Sequence, residues 1–258
     1  MATVTKHDPG SFCWVELATS DPEAAKSFYS GLFGWAPVDN PMGPGPDAIY
    51  TRLQLSGGDV GALYRMIKEQ AAQGVPPNWL VYVSVASADA AAKRAKELGG
   101  AVLAEPFDIM DYGRMAMLKD PSGAVFAVWQ PGTHFGMQRV NEPGAVCWCE
   151  LATRDAEGAG RFYSSLLGWG LKTGDPRYHE ITRDGVPIGG LMVMGPEMAG
   201  VPPHWGVYFQ VADCDAIVAK AKSLGGRLLF GPRDMETVGR FAVLQDPQGA
   251  SFSVIKLA

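Results

Sequence analysis

Two hydrophobic periods alternate along this chain. Apolar and polar side chains alternate with period two through Phe12–Thr19, the pattern of a half-buried strand. Asp21 then stands where a helix N-cap belongs and Pro22 at the first helical position. Ala24, Ala25, Phe28 and Tyr29 follow at helical spacing, and Gly34 ends the helix. The plan recurs further on. Residues 80–86 read as a strand, 88–98 as a helix, and Gly99 with Gly100 as its stop. Short strands follow each helix: 50–55 and 61–66 after the first, and 101–104, 115–119 and 125–130 after the second. Asp120, Pro121, Ser122 and Gly123 form the turn between the last two. Each half therefore reads strand–helix–strands, which predicts a curved sheet with helices on its convex side.

The whole plan is then repeated. GSFCWVELATSDPEAAKSFYSGLFGW, from Gly10, returns as GAVCWCELATRDAEGAGRFYSSLLGW from Gly144. VPPNW, ending at Trp79, returns as VPPHW, ending at Trp205. GRMAMLKDPSGAVFAV from Gly113 returns as GRFAVLQDPQGASFSV from Gly239. The copies span residues 10–131 and 144–258, and residues 132–143 have the Pro, Gly and polar content of a linker. At 258 residues the chain can hold two domains, each with its own core.

Composition narrows the partners. The net charge of −5 lacks the basic excess that nucleic acid or an anionic membrane surface would require. No apolar run approaches the roughly 18 residues that cross a bilayer. The N-terminal ten residues are polar, without the apolar stretch of a signal peptide, so a cytoplasmic location is expected. Of the four cysteines, Cys13 and Cys147 are repeat equivalents. Cys147 and Cys149 have the spacing of a metal-binding pair, but no second thiol or His pair accompanies them. They read as small core residues on one strand face. His7, His134 and His179 show no ligand spacing.

The run strand–Asp–helix–FY–LG–W, then strand–helix–LGG, then GR…DP-G and a final strand, resembles the vicinal-oxygen-chelate superfamily of glyoxalases, bleomycin-resistance proteins and extradiol dioxygenases. It is most similar to two-domain actinobacterial glyoxalase-like proteins. The resemblance covers nearly the whole chain, twice. It implies an α+β fold of tandem domains, each built from two βαβββ modules whose mixed sheet curves into a cup. It also implies a divalent metal in the cup, usually held by His, His or Gln, and Glu. Counted from the Asp and DP-G landmarks, those positions fall on Trp14, Leu80 and Ala127 in the first copy and on Trp148, Gly206 and Ser253 in the second. None is a usual ligand for a divalent ion, so no metal cofactor is expected.

Strand alternation gives the rest of the cup. With Trp14 facing inward, Glu16 does too, while Cys13, Val15 and Leu17 face the helices. Trp148 and Glu150 are the second copy's equivalents. The middle strand adds Asn78, Leu80 and Tyr82, or His204, Gly206 and Tyr208. The last strand adds Val125, Ala127 and Trp129, or Ser251, Ser253 and Ile255. Trp14 and Trp148 either plug the cup or stack on a ligand. Glu16 and Glu150 either pair with Arg114 and Arg240 or serve as general acid or base with raised pKa values. His204 is either a structural hydrogen-bonding residue or a ligand contact. Tyr50 and Tyr178 line or support the cup, and residues 40–47 form either a lid or a solvated loop. With His204, Gly206 and Ser253, the second cup is expected to be the roomier and more polar.

The leading expectation is a small-molecule binder, with Trp14, Tyr82, Trp148, His204, Tyr208 and Ser253 around an aromatic or carbonyl-containing metabolite. One alternative is a metal-independent lyase, isomerase or cyclase using Glu16 or Glu150. Another is a metal-dependent glyoxalase or dioxygenase with a displaced site that includes Glu150 and His204. A fourth is an interaction module that has lost its pocket. The partner expected is a small molecule, with the chain a monomeric pseudo-dimer or a homodimer.

Overall fold

Residues 3–45, 48–72 and 74–258 are described by the structure, a computed structural model. The first domain runs β1 (Phe12–Thr19), α1 (Pro22–Phe33), β2 (Ala36–Pro41), β3 (Ile49–Leu55), β4 (Gly58–Arg65), α2 (Lys68–Ala72), β5 (Asn78–Ser84), α3 (Ala88–Glu97), β6 (Ala101–Ile109), β7 (Gly113–Lys119) and β8 (Val125–Pro131). The second runs β9 (Val146–Thr153), α4 (Ala156–Leu167), β10 (Gly170–Asp175), β11 (Tyr178–Arg183), β12 (Val186–Val193), β13 (His204–Gln210), α5 (Cys214–Ser223), β14 (Arg227–Met235), β15 (Gly239–Gln245) and β16 (Ser251–Leu257). Each domain is an 8-stranded sheet, ordered β2-β3-β4-β1-β5-β8-β7-β6 and β10-β11-β12-β9-β13-β16-β15-β14. The first strands of the two modules, β1 and β5, are antiparallel neighbours at the centre, and each is parallel to the last strand of its own module.

The local chemistry follows the sequence signals. The Asp21 carboxylate accepts the Ala24 N–H at 3.2 Å, capping α1, and Gly34 closes it at φ +77°. Asp155 and Gly168 do the same for α4. Some strands differ from expectation. β2 and β10 carry almost no buried side chains, so they lack the apolar alternation that marks a strand. β6 continues to Ile109, past Pro106, because a sheet-edge strand tolerates a missing N–H. β5 begins at Asn78, two residues earlier than predicted, and ends at Ser84.

The domains are joined by exchanging helix contacts. α1 packs on α5, and α4 on α3. The Tyr29 hydroxyl of α1 receives the Trp79 indole N–H at 3.0 Å and donates to Asp246 of the other domain at 3.1 Å. Tyr163 of α4 mirrors it, receiving Trp205 at 2.9 Å and donating to Asp120 at 3.1 Å. Asp120 also accepts the N–H groups of Ser122, Gly123 and Ala124, so the turn carboxylate ties its own loop to the partner domain. Trp35 donates to the Gly144 carbonyl and Trp169 to that of Gly10, each at 2.7 Å. Phe33, Trp35 and Trp79 pack tilted or edge-on around Phe209. Gly99 is the helix stop the sequence suggests, at φ +86°, but Gly100 has another task. A Cβ there would stand 3.0 Å from Phe162 and 2.8 Å from the Lys119 carbonyl, so only glycine admits the partner's ring this closely. Among the described residues no helix is long and apolar enough to cross a membrane.

This seam predicts that the halves unfold together. Calorimetry should show one transition; two separate transitions would contradict the shared core. Tyr29→Phe strands the buried Trp79 N–H and the Asp246 oxygen, and should cost about 1–3 kcal/mol in denaturant melts.

Candidate functional site

The inner face of β1 presents Trp14 and Glu16, as alternation requires, while Cys13, Val15 and Leu17 are fully buried on the other side. β1 lies between β4 and β5, with Glu16 opposite Ala62 on one side and Leu80 on the other. Trp14 lies opposite Tyr82. Around this pair the sheet encloses a cavity of about 660 Å³. Its walls include Tyr50, Tyr64, Tyr82, Phe107, Met115, Met117 and Trp129, with Met42 and Ala48 at the β2–β3 rim. Arg52 and Arg65 also border it.

Glu16 is 9% exposed and is held at both oxygens. The Tyr50 hydroxyl donates to Oε2 at 2.7 Å and the Tyr82 hydroxyl to Oε1 at 2.9 Å. The Trp14 indole N–H donates in turn to the Tyr50 oxygen at 2.9 Å, which fixes the donor. Burial pushes the Glu16 carboxyl up, and the two tyrosine hydrogen bonds only partly oppose this. Burial and the Glu16 charge push both tyrosines well above their usual range, so they remain protonated donors.

Arg114 and Arg240 do not reach these carboxylates, which corrects one sequence expectation. Arg114 grips Asp89 with two hydrogen bonds, at 2.7 and 3.0 Å, and Asp108 with another at 2.9 Å. Arg240 holds Asp215 and Asp234 in the same way. Both arginines staple a helix N-terminus to the β6–β7 or β14–β15 hairpin, on the side away from the cup.

One wall was not legible in the sequence. His134, in the linker, stands edge-on to Trp14 at a centroid distance of 4.8 Å and lines the cavity. Its carbonyl accepts the Trp129 indole N–H at 2.9 Å. Its Nε2 lies 3.6 Å from the buried Asp59 carboxylate, which also receives Arg52 at 3.0 Å and Gln54 at 2.8 Å. Burial pushes Asp59 up, but His134, Gln54 and Arg52 outweigh it and leave the carboxyl below its usual value. The segment read as either a lid or a solvated loop begins in a hairpin rim. Asn40 belongs to β2, and the Met42 N–H donates to the Ala48 carbonyl at 2.7 Å. Residues 46 and 47 lie outside the described ones.

The second domain repeats the network. Tyr208 donates to Glu150 at 2.9 Å, and the Trp148 indole N–H donates to the Tyr178 hydroxyl at 2.9 Å. Gly190 replaces Ala62 opposite Glu150, and a Cβ there would strike the Tyr178 hydroxyl. Burial pushes Glu150 up as well. Ser253 lies opposite Tyr208 and is buried. His204 is exposed at the start of β13, its Nδ1 turned to the Pro202 carbonyl, away from the network. The cavity of about 660 Å³ lies in the first domain. Room comes from the β6–β7 side and the linker wall rather than from small residues on β5 and β8: neither Leu80 nor Ala127 lines it. A smaller hollow, about 290 Å³, lies where the linker and N-terminal segment meet β9, and is bordered by His7, Phe12, Met137, Cys147 and Trp148. Cys147 borders that hollow, and burial pushes its thiol to about 12.

A family model described as the Glyoxalase/Bleomycin resistance protein/Dioxygenase superfamily matches residues 11–128 and 145–254. A putative glyoxylase, CFP32, of Mycobacterium tuberculosis (strain CDC 1551 / Oshkosh) is 42% identical over 258 residues, covering 98% of this chain and 97% of that protein. The anthracycline biosynthesis protein DnrV of Streptomyces peucetius is 40% identical over 270 residues, covering 98% and 96%. Among solved structures, the Mn(II)-bound glyoxalase from Novosphingobium aromaticivorans superposes with a TM-score of 0.65 at 16% identity, covering 96% of this chain and 84% of that one. The 2,3-dioxygenase LapB from Pseudomonas sp. KL28 gives 0.61 at 12% identity, covering 99% and 93%. Those two likenesses concern the fold.

Such a fold implies a divalent metal, and the residues do not fit one. The three positions offer an indole and two hydrocarbon side chains in one domain, and an indole, a glycine and a hydroxyl in the other. Among the described residues no group of three or more His, Cys, Asp or Glu side chains could hold an ion elsewhere, so Glu150 and His204 do not assemble a displaced site.

The raised Glu16 carboxyl carries a stability signature. Above the ordinary value of 4.5 an unfolded Glu16 releases its proton, while the folded protein keeps it to higher pH. Folding stability contributed by this group is therefore full below that value and is lost as pH rises through the folded pKa. Glu16→Gln lacks this slope. In denaturant melts the variant should gain on the wild type from about pH 4.5 upward until the folded group ionises. A pH-independent difference would contradict the assignment.

Proposed function

This chain belongs to the glyoxalase/bleomycin resistance protein/dioxygenase superfamily, and we propose that its first domain binds a flat aromatic or carbonyl-containing metabolite without a metal. The observation that carries this reading is the aromatic-walled cavity of about 660 Å³ with one buried carboxylate at its floor. Small-molecule sites commonly span about 300–1,000 Å³, with mostly apolar walls and a few converging polar groups. Trp14, Tyr50 and Tyr82 are fixed by hydrogen bonds before any ligand arrives, so little ordering entropy opposes binding. The relatives named for anthracycline biosynthesis support a fused-ring aromatic ligand.

A second reading has one observation in its favour. Burial raises the Glu16 carboxyl above its ordinary value, the direction that favours a proton-exchanging role. On a bound carbonyl compound it would act as general acid or base, and Tyr50 and Tyr82 would hold its conjugate base. This gives a metal-independent isomerase, lyase or cyclase.

Titration of a panel of tricyclic aromatic compounds, followed by tryptophan quenching, should give saturable binding that survives dialysis against EDTA. Ala104→Trp, which fills the cup from β6, should weaken that binding by tenfold or more, on the order of a lost apolar contact area. Loss of binding on chelation would contradict the metal-free reading, and unchanged affinity in Ala104→Trp would place the ligand elsewhere. Under the second reading, turnover of a carbonyl member of the panel should disappear in Glu16→Gln.

A further inference from the structure

Glu16 has donors but no counter-ion. Its hydrogen bonds come from two neutral hydroxyls, and no Lys, Arg or His among the described residues forms an ion pair with it. The cations near the cavity are engaged in other ways. Arg52 is paired with Asp59 at 3.0 Å, and His134 faces that same carboxylate. Arg65 is exposed at the rim and donates to the Ser20 carbonyl at 2.8 Å. The floor of the cup is thus a negative centre in a low-dielectric setting, ringed by Trp14, Tyr50, Tyr64 and Tyr82. A buried carboxylate is costly unless something compensates its charge. Two hydroxyl dipoles do so only partly, and burial still pushes the carboxyl up.

Aromatic rings and a carboxylate together attract one class of group. The π faces carry negative quadrupole potential, and the attraction to a cation strengthens as water is excluded. A charge-assisted hydrogen bond from an N–H to the carboxylate adds to this, because each Glu16 oxygen keeps a lone pair after accepting one tyrosine hydrogen. We propose that the ligand of the first cup is an organic cation, a protonated amine or iminium on a planar aromatic frame, whose positive charge rests against Glu16. The inference rests on the cup reading above and adds the charge of the ligand to it. It also explains why a carboxylate stands in a metal-free cup. There it offers the negative charge to a ligand cation that a metal ion would otherwise compensate.

The test uses two isosteric tricyclic probes and the full-length chain. 9-Aminoacridine is a cation at neutral pH, and acridone is its neutral counterpart. Both are titrated at pH 7 by fluorescence into the wild type and into Glu16→Gln. The expected result is that 9-aminoacridine binds the wild type at least about tenfold more tightly than acridone, and that Glu16→Gln removes most of this preference while acridone affinity changes little. Acridone binding to the variant reports that the cup is intact. Should Glu16→Gln not fold, the preference of the wild type between the probes decides alone. Equal affinities, or tighter binding of acridone, would overturn the cationic assignment and leave the aromatic cup standing. Binding of neither probe would sink the cup reading and this inference with it.

Discussion

Alternation along β1 is the constraint on which the rest of the molecule depends. Its two faces serve two different interiors. Cys13, Val15 and Leu17 face the helices and the aromatic seam between the domains, while Trp14 and Glu16 face the cup. A slip of one residue would bury the carboxylate in the seam and point a thiol into the cup. Register is locked from both sides, through β4 and β5, and again by Tyr82 opposite Trp14. The seam and the cup therefore stand or fall together, and the exchanged helix contacts stiffen the floor on which Glu16 sits.

The network at that floor is compact: an indole N–H to a phenol, that phenol to a carboxylate, and a second phenol to its other oxygen. Among the described residues no cation pairs with that carboxylate. The second domain carries the same elements on a more open surface, with Gly190 making space for Tyr178. Duplication preserved the network in both copies. The linker wall of His134 and the β6–β7 side enclose the cavity over the first.

Much of this was legible in the sequence. The repeat gave the tandem fold, and the period of two placed Trp14, Glu16, Tyr82 and Trp129 inside the cup, where they are found. Period cannot name partners. It left Arg114 beside Glu16 as a candidate, whereas Asp89 at the start of α3 and Asp108 on the adjoining strand hold it. It put His204 on the cup face of β13, but at the strand's first residue, where the side chain turns out to solvent. His134 was invisible because a linker has no period, and only the packing of that segment on Trp14 reveals it. The Tyr29–Asp246 and Tyr163–Asp120 bonds depend on how two domains dock, which no local pattern encodes.

If the first cup is the binding site, its methionine methyl groups report on it directly. Met42, Met115 and Met117 line that cavity, whereas Met192, Met194 and Met235 belong to the second domain. A carbon-13 methyl spectrum recorded during titration with a tricyclic aromatic ligand would separate them through ring-current shifts. Binding in the first cup should give saturable shifts at Met42, Met115 and Met117 and none at the second set. Shifts confined to the second domain, or no shifts at saturating ligand, would contradict it.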